Sequence, residues 1–233
     1  MNHSGGSTDI EPWSAAIIAG GYSKRFGGFK PLARLGQDSI LRRVAQAVFP
    51  PSGDLMVALR PGESPREYGD LEEKIAFELR DIPFRIVYDT PGERNPSAGI
   101  EAALLNARHE RVAIAASDMP FLAGGLFRVM SRLIGDSWLA IPYYDGFYEP
   151  LCAVYSKAAL TLISEYRKKP KGPIWKVFEE SGAPIVTISK EIIREFGPER
   201  VLFFNVNTGE DLKEAERILK THGSSYLNPT YCN

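Results

Sequence analysis

A short apolar run that stops on a double glycine sets the strongest limit on the fold of this chain. Ala15-Ala16-Ile17-Ile18-Ala19 runs straight into Gly20-Gly21, the pattern of a strand buried on both faces that enters a loop. The alternation then repeats. Ser39 stands where it can cap a helix with apolar positions Ile40, Leu41, Val44, Ala45 and Val48, and Pro50-Pro51 stops it. Residues 55–59 read as a second strand, 65–79 as a charged surface helix and 84–88 as a third strand. Ser97 opens a helix through Ile100, Ala103, Leu104 and Ala107. Residues 112–116 form a fourth strand that ends at Ser117-Asp118, followed by a helix over about 123–133. Alternating strands and helices predict right-handed βαβ units and a mostly parallel sheet, an α/β fold.

The second half is less regular. Residues 138–141 and 148–154 read as strands flanking the turn-forming Asp145-Gly146. Ser156 is placed to cap a helix reaching about Tyr166, and Lys168-Lys169-Pro170-Lys171-Gly172-Pro173 is a basic loop. A helix over 174–180, strands over 185–188 and 202–206, and a last helix over about 210–220 complete the pattern. Thr208 caps that last helix, with Asp211 in its first turn. There is no internal repeat and no dividing linker. Residues 1–12 are expected to be a flexible leader, 13–222 a single domain and 223–233 a polar tail.

Composition narrows the function classes. The net charge of −1 gives no global attraction to nucleic acid or to an anionic membrane, so an anionic ligand must be held by local cations. No apolar stretch approaches the roughly 20 residues of a membrane span, and the polar start does not resemble a signal peptide. The two cysteines, Cys152 in an apolar run and Cys232 near the end, suggest neither a disulfide framework nor a zinc site. They fit a reducing cytoplasm.

Four constellations carry chemistry. In the loop after the first strand, Gly20 and Gly21 let backbone N–H groups approach phosphate oxygens, while Arg25 offers a planar fork and Lys30 a movable point charge. The pattern is neither a Walker A loop nor the Gly-x-Gly-x-x-Gly fingerprint. Alone, it reads equally well as a solvated surface loop. Asp118, at the end of the fourth strand, is placed to hold Mg2+, a hard ion that prefers oxygen. A turn residue is its plainer reading. Asp89, at the end of the third strand, is placed to meet a ribose hydroxyl or a base edge, and Gly99 permits close approach near a helix start. Asn207 offers a neutral oxygen to the same metal, or caps the last helix. Three strand-end sites that can converge weigh more together than each does alone.

Set in order, these residues resemble the molybdenum cofactor guanylyltransferase family. The loop Ile18-Ala19-Gly20-Gly21-Tyr22-Ser23-Lys24-Arg25-Phe26-Gly27-Gly28-Phe29-Lys30 is similar to its Leu-Ala-Gly-Gly-x-Ser-x-Arg-Met-Gly-x-Asp-Lys signature. Asp118-Met119-Pro120-Phe121-Leu122, Pro96-Ser97-Ala98-Gly99, Glu149-Pro150-Leu151-Cys152-Ala153-Val154-Tyr155 and Asn205-Val206-Asn207-Thr208-Gly209-Glu210-Asp211-Leu212 match further segments in the same order. Phe29 stands where the family usually has Asp, Leu59 near where bacterial members have a nucleotide-contacting Asn, and Gly209 in place of Pro.

The resemblance implies a three-layer Rossmann-like nucleotidyltransferase fold with a mostly parallel central sheet. It also implies transfer of GMP from MgGTP to the phosphate of molybdopterin, with release of pyrophosphate. Ile18, Ala19, Gly20 and Gly21 would line the GTP site. Lys30 would contact the phosphates, Asp89 the nucleoside and Asp118 both Mg2+ and nucleotide. Arg25, Lys30 and Asp118 are the expected catalytic residues, with Asp118 and Asn207 as metal ligands. GTP and a molybdopterin-type phosphate acceptor are the expected partners, with molybdoenzyme-maturation proteins beyond them. Tyr143, Tyr144, Tyr148 and the basic loop are candidates for the acceptor side, or are core packing and a solvated charge run. The rival readings are a cobinamide-phosphate guanylyltransferase, a cytidylyltransferase, and a non-catalytic nucleotide-binding regulatory protein of the same fold.

Overall fold

The computed structural model describes residues 11–19, 29–61, 70–89, 95–169 and 172–222. The strands are β1 (Trp13–Ile18), β2 (Arg34–Leu35), β3 (Asp38–Ser39), β4 (Leu55–Leu59), β5 (Arg85–Tyr88), β6 (Arg111–Ala116), β7 (Leu139–Tyr144), β8 (Phe147–Tyr148), β9 (Cys152–Ser156) and β10 (Ile185–Ile188). The α-helices are α1 (Ile40–Val48), α2 (Leu71–Glu78), α3 (Pro96–Asn106), α4 (Gly124–Leu133), α5 (Leu160–Lys168), α6 (Trp175–Ser181), α7 (Lys190–Arg194), α8 (Glu199–Leu202) and α9 (Gly209–His222).

The large sheet has the order β10-β7-β9-β6-β1-β4-β5, with β8 paired to β7. The pairs β5–β4, β4–β1, β1–β6 and β7–β10 are parallel, whereas β9 runs antiparallel to both β6 and β7. The chain therefore travels from β1 outward through β4 to β5 and then returns to place β6 on the other side of β1. That reversal is a topological switch point, and ligands of open α/β sheets bind beside the carboxyl ends of the strands there. Ala15 pairs with both Leu55 and Ala113, so β1 lies at the centre with both faces covered, as its unbroken apolar run requires.

Strand alternation divides the core into two layers. Ala15, Ile17, Leu55, Val57, Ala113 and Ala115 point to one face, where α1 and α4 add Val44, Val48, Leu126, Phe127 and Met130. Ala16, Ile18, Met56, Ala58, Val112 and Ile114 point to the other, against Ile100, Ala103 and Leu104 of α3, Ile163 of α5 and Phe178 of α6. The result is the expected three-layer α/β arrangement. No helix among the described residues is long and apolar enough to cross a membrane.

Several boundaries follow local chemistry. Ser39 Oγ accepts from the Arg42 amide at 3.2 Å and starts α1. Asp145 and Gly146, with φ of 48° and 87°, form the two-residue turn of the β7–β8 hairpin, in which Tyr144 pairs with Phe147; this is where left-handed backbone favours Asp-Gly. Other expectations need correction. Residues 148–154 do not form one strand: Pro150 lacks an N–H, Cys152 N bonds Glu149 O at 3.0 Å, and this turn separates β8 from β9. Residues 202–206 are not a strand either. They leave α8 irregularly, and their apolar side chains Leu202, Phe203 and Val206 fill core space without joining a ladder. Helix α3 is capped by Asn95, whose side chain accepts from the Ser97 amide at 3.0 Å, with Pro96 in its first turn; Ser97 lies inside the helix.

Candidate active site

Lys30, Asp118 and Asn207 meet at the carboxyl edge of the sheet. The Lys30 ammonium donates to Asp118 Oδ2 at 2.7 Å and to Asn207 Oδ1 at 2.9 Å. Each is brought there by a different device. Lys30 begins a single 3-10 turn, Lys30–Leu32, set by Pro31. Asp118 follows β6, whose end is tied to β1 because Ser117 N donates to Ile18 O at 3.2 Å. Val206 N donates to Asp118 O at 2.9 Å and so draws the Asn207 segment to the same point.

The cap of α9 explains why the Asn207 side chain is free for this role. Thr208 Oγ1 accepts from Asp211 N at 3.1 Å, while Asp211 Oδ2 accepts from the amides of Asn207 and Thr208 at 2.9 and 2.8 Å. This reciprocal box satisfies the helix start, so Asn207 is not the cap. Those amides, with the Lys30 charge nearby, hold the Asp211 carboxyl below its usual range.

Asp89 forms a second, drier locus. It is 6% exposed, and its Oδ1 has no hydrogen-bond partner among the described residues. Its amide donates to Leu59 O at 2.8 Å, which fixes it just past β5. Burial pushes the carboxyl up to about 6, against the pull of Arg60 and Arg167. Gly99 is required beside it, since a β-carbon there would lie 2.9 Å from Ile18 Cγ2 and 3.3 Å from Asp89 Oδ1. A carboxylate with an unused acceptor and a bare glycine beside it is suited to receiving donor groups of a ligand.

Glu149 is a carboxyl at this edge whose role the sequence did not reveal. Burial, with Asp118 second, raises it to about 7, opposed by a hydrogen bond from the Leu151 backbone. Its sequence signal was its place at the head of the Glu149–Tyr155 segment, with no role attached. Of the remaining expected residues, Ile18 and Ala19 lie at the end of β1, both buried. The Ala19 N–H is taken by Ala58 O at 2.9 Å, so Ala19 offers no phosphate donor. Gly20, Gly21 and Arg25 lie outside the described residues. Leu59 is 3% exposed inside the core and presents no polar group. On the candidate acceptor side, Tyr144 stacks on Phe203 at 4.8 Å, whereas Tyr143, Tyr148 and Trp175 form a chain of rings at 4.7 and 4.5 Å. The Lys168–Lys171 stretch falls partly outside the described residues.

The donor set fits a magnesium ion. Asp118 and Asn207 present hard oxygens that converge on one cationic group, and Mg2+ is characteristically held by one or two carboxylates completed by substrate phosphates and water. Among the described residues no group of three acidic, His or Cys side chains forms a metal cage, so a resident ion held by protein alone is not the pattern seen.

A parallel sheet with a cation, carboxylates and a glycine-lined recess at its switch point defines a nucleotide-handling α/β enzyme. Residues 15–185 match the MobA-like NTP transferase domain, and the chain belongs to that family of nucleotidyltransferases. A molybdenum cofactor guanylyltransferase of Desulfosudis oleivorans is 31% identical over 88% of this chain and 94% of its own length. A probable molybdenum cofactor guanylyltransferase of Methanosarcina mazei is 32% identical over 86% and 88%. Among solved structures, molybdopterin-guanine dinucleotide biosynthesis protein A of Archaeoglobus fulgidus superposes with a TM-score of 0.69 at 24% identity, covering 89% of this chain and 99% of that one. The 4-diphosphocytidyl-2C-methyl-D-erythritol synthase of Anaerococcus prevotii shares the fold with a TM-score of 0.64 at 14% identity, covering 90% and 96%.

Proposed function

We propose that the protein transfers GMP from MgGTP to the terminal phosphate of molybdopterin, forming a guanine dinucleotide cofactor and pyrophosphate. The observation that carries this reading is the Lys30 ammonium held between Asp118 and Asn207 at the switch point. In this resting arrangement the lysine neutralises the oxygens that a metal–nucleotide complex would use. On binding, the ammonium would turn to the phosphates, and Asp118 and Asn207 would hold Mg2+, which would supply charge neutralisation of phosphate oxygens.

An acceptor phosphate oxygen then attacks the α-phosphorus in line. The new O–P bond forms as the bond to the β-phosphate oxygen breaks, and pyrophosphate leaves with that electron pair. Both reactants are anions, so positioning and charge neutralisation carry the catalysis. Lys30, with Arg25 from the preceding loop, meets the charge growing on pyrophosphate. A phosphate nucleophile is already ionised near neutral pH and needs no general base. Asp89, with Gly99 and Ile18, receives the nucleoside. Molybdoenzyme-maturation proteins would receive the product, in the cytoplasm.

Thermal shifts with GTP and CTP, each with and without Mg2+, test the nucleotide half of this reading. Stabilisation by GTP that grows with Mg2+ and exceeds that by CTP is expected. Preference for CTP would replace the reading with a cytidylyltransferase.

A further inference from the structure

The order of the strands places Glu149 beside Asp118. Strand β9 runs antiparallel to β6, with Cys152 opposite Ala115, so the residues that enter β9 lie at the edge where β6 ends. Ala116 N donates to Leu151 O at 2.7 Å, which ties that entry to the approach to Asp118. The Glu149 backbone is held on both sides: its N–H donates to Pro142 O at 3.1 Å and its carbonyl accepts from Cys152 N at 3.0 Å. The side chain is thus delivered to the site by a rigid turn rather than by a loose loop.

Among the described residues the carboxyl groups there outnumber the cations. Asp118 acts electrostatically on Glu149, and Lys30 on Asp211. Lys30 forms the one ion pair made by Asp118, and no Lys or Arg pairs with Glu149 among the described residues. Among the described residues, Asp118, Glu149 and Asp211 bring three carboxyl groups to the place proposed to receive a triphosphate, where Lys30 pairs with Asp118. Carboxyls so gathered favour a further cation that enters with the substrate.

We infer that Glu149 is the second carboxylate of the divalent-cation site, holding the ion's bound water rather than the ion itself. This rests on the reading of Asp118 as the direct ligand. An outer role fits Mg2+, which keeps several of its waters, and fits the absence of a three-residue cage among the described residues. Groups that orient a metal's inner ligands typically change its affinity by about 10- to 100-fold when removed.

The test is calorimetric and needs no turnover. Binding of GTP is measured with Mn2+ and again in EDTA, for the wild type, Glu149→Gln, Glu149→Asp and Asp118→Asn. The expected result for Glu149→Gln has two opposite signs: GTP in EDTA binds more tightly because a repelling charge is gone, and the gain from Mn2+ shrinks about 10- to 100-fold. Glu149→Asp keeps most of that gain, and it carries the test if the Gln variant does not fold. A merely structural role would weaken both forms of GTP together and would overturn the inference. A gain unchanged in Glu149→Gln but lost in Asp118→Asn overturns it while leaving Asp118 as the ligand. A gain unchanged in both variants overturns the Asp118 reading as well.

Discussion

Asp118 and Asp89 both follow parallel strands at the same sheet edge, yet they live in opposite environments. Asp118 is partly exposed and carries an ammonium at 2.7 Å. Asp89 is buried, has an oxygen without a partner among the described residues and is pushed up to about 6. The first is a group prepared for charge: its cation can be exchanged for another. The second is a group under strain from desolvation, which a ligand with donor groups relieves. One strand-end edge thus offers a wet locus suited to phosphate and metal beside a dry locus suited to a nucleoside.

Substitutions can break this contrast from the largest effect down. Asp118→Ala should lower pyrophosphate release by at least about 10²- to 10³-fold, read as kcat/KM for GTP, with little change in melting temperature because the side chain is partly exposed. Lys30→Met should lower kcat by about 10²-fold and should raise the affinity for Mn2+, since the competing ammonium is gone. Gly99→Val should act chiefly at the dry locus. Its side chain meets Ile18 and Asp89, so GTP binding measured by calorimetry should weaken about tenfold or more.

Asp89→Asn should separate stability from binding. The folded pKa is raised above the unfolded value, so ionising Asp89 costs stability as pH rises from about 4 to about 6, and the full cost persists above that. The variant should therefore be more stable than wild type by about 3 kcal/mol at pH 8, and the gain should vanish below pH 4 in denaturant melts. Its GTP affinity should be weaker at pH 8. Wild-type affinity should fall as pH drops through about 6, and this dependence should be absent in the variant.

Much of the sheet was legible because its signals are local. The apolar run before Gly20, the Ser39 cap with α1 behind it, and the Leu55–Leu59 strand all agree with the structure. The second half was less legible because packing there overrides pattern. Residues 202–206 look like a strand but fill core space, and Pro150 divides what reads as one strand. At the site, Asp118 announced itself as a strand-end carboxylate. Its meeting with Lys30 and Asn207 was only a possibility, since Lys30 lies 88 positions from Asp118 and 177 from Asn207. Glu149 was hidden for a topological reason: only the antiparallel course of β9 brings a residue before its start to the edge where the parallel strands end.

Guanylyl transfer itself is measured with purified protein supplied with GTP, Mg2+ and molybdopterin. Release of one pyrophosphate for each guanine dinucleotide formed is expected, requiring all three components and lost in Asp118→Ala. Binding of GTP without pyrophosphate release, or release that Asp118→Ala leaves unchanged, would contradict it.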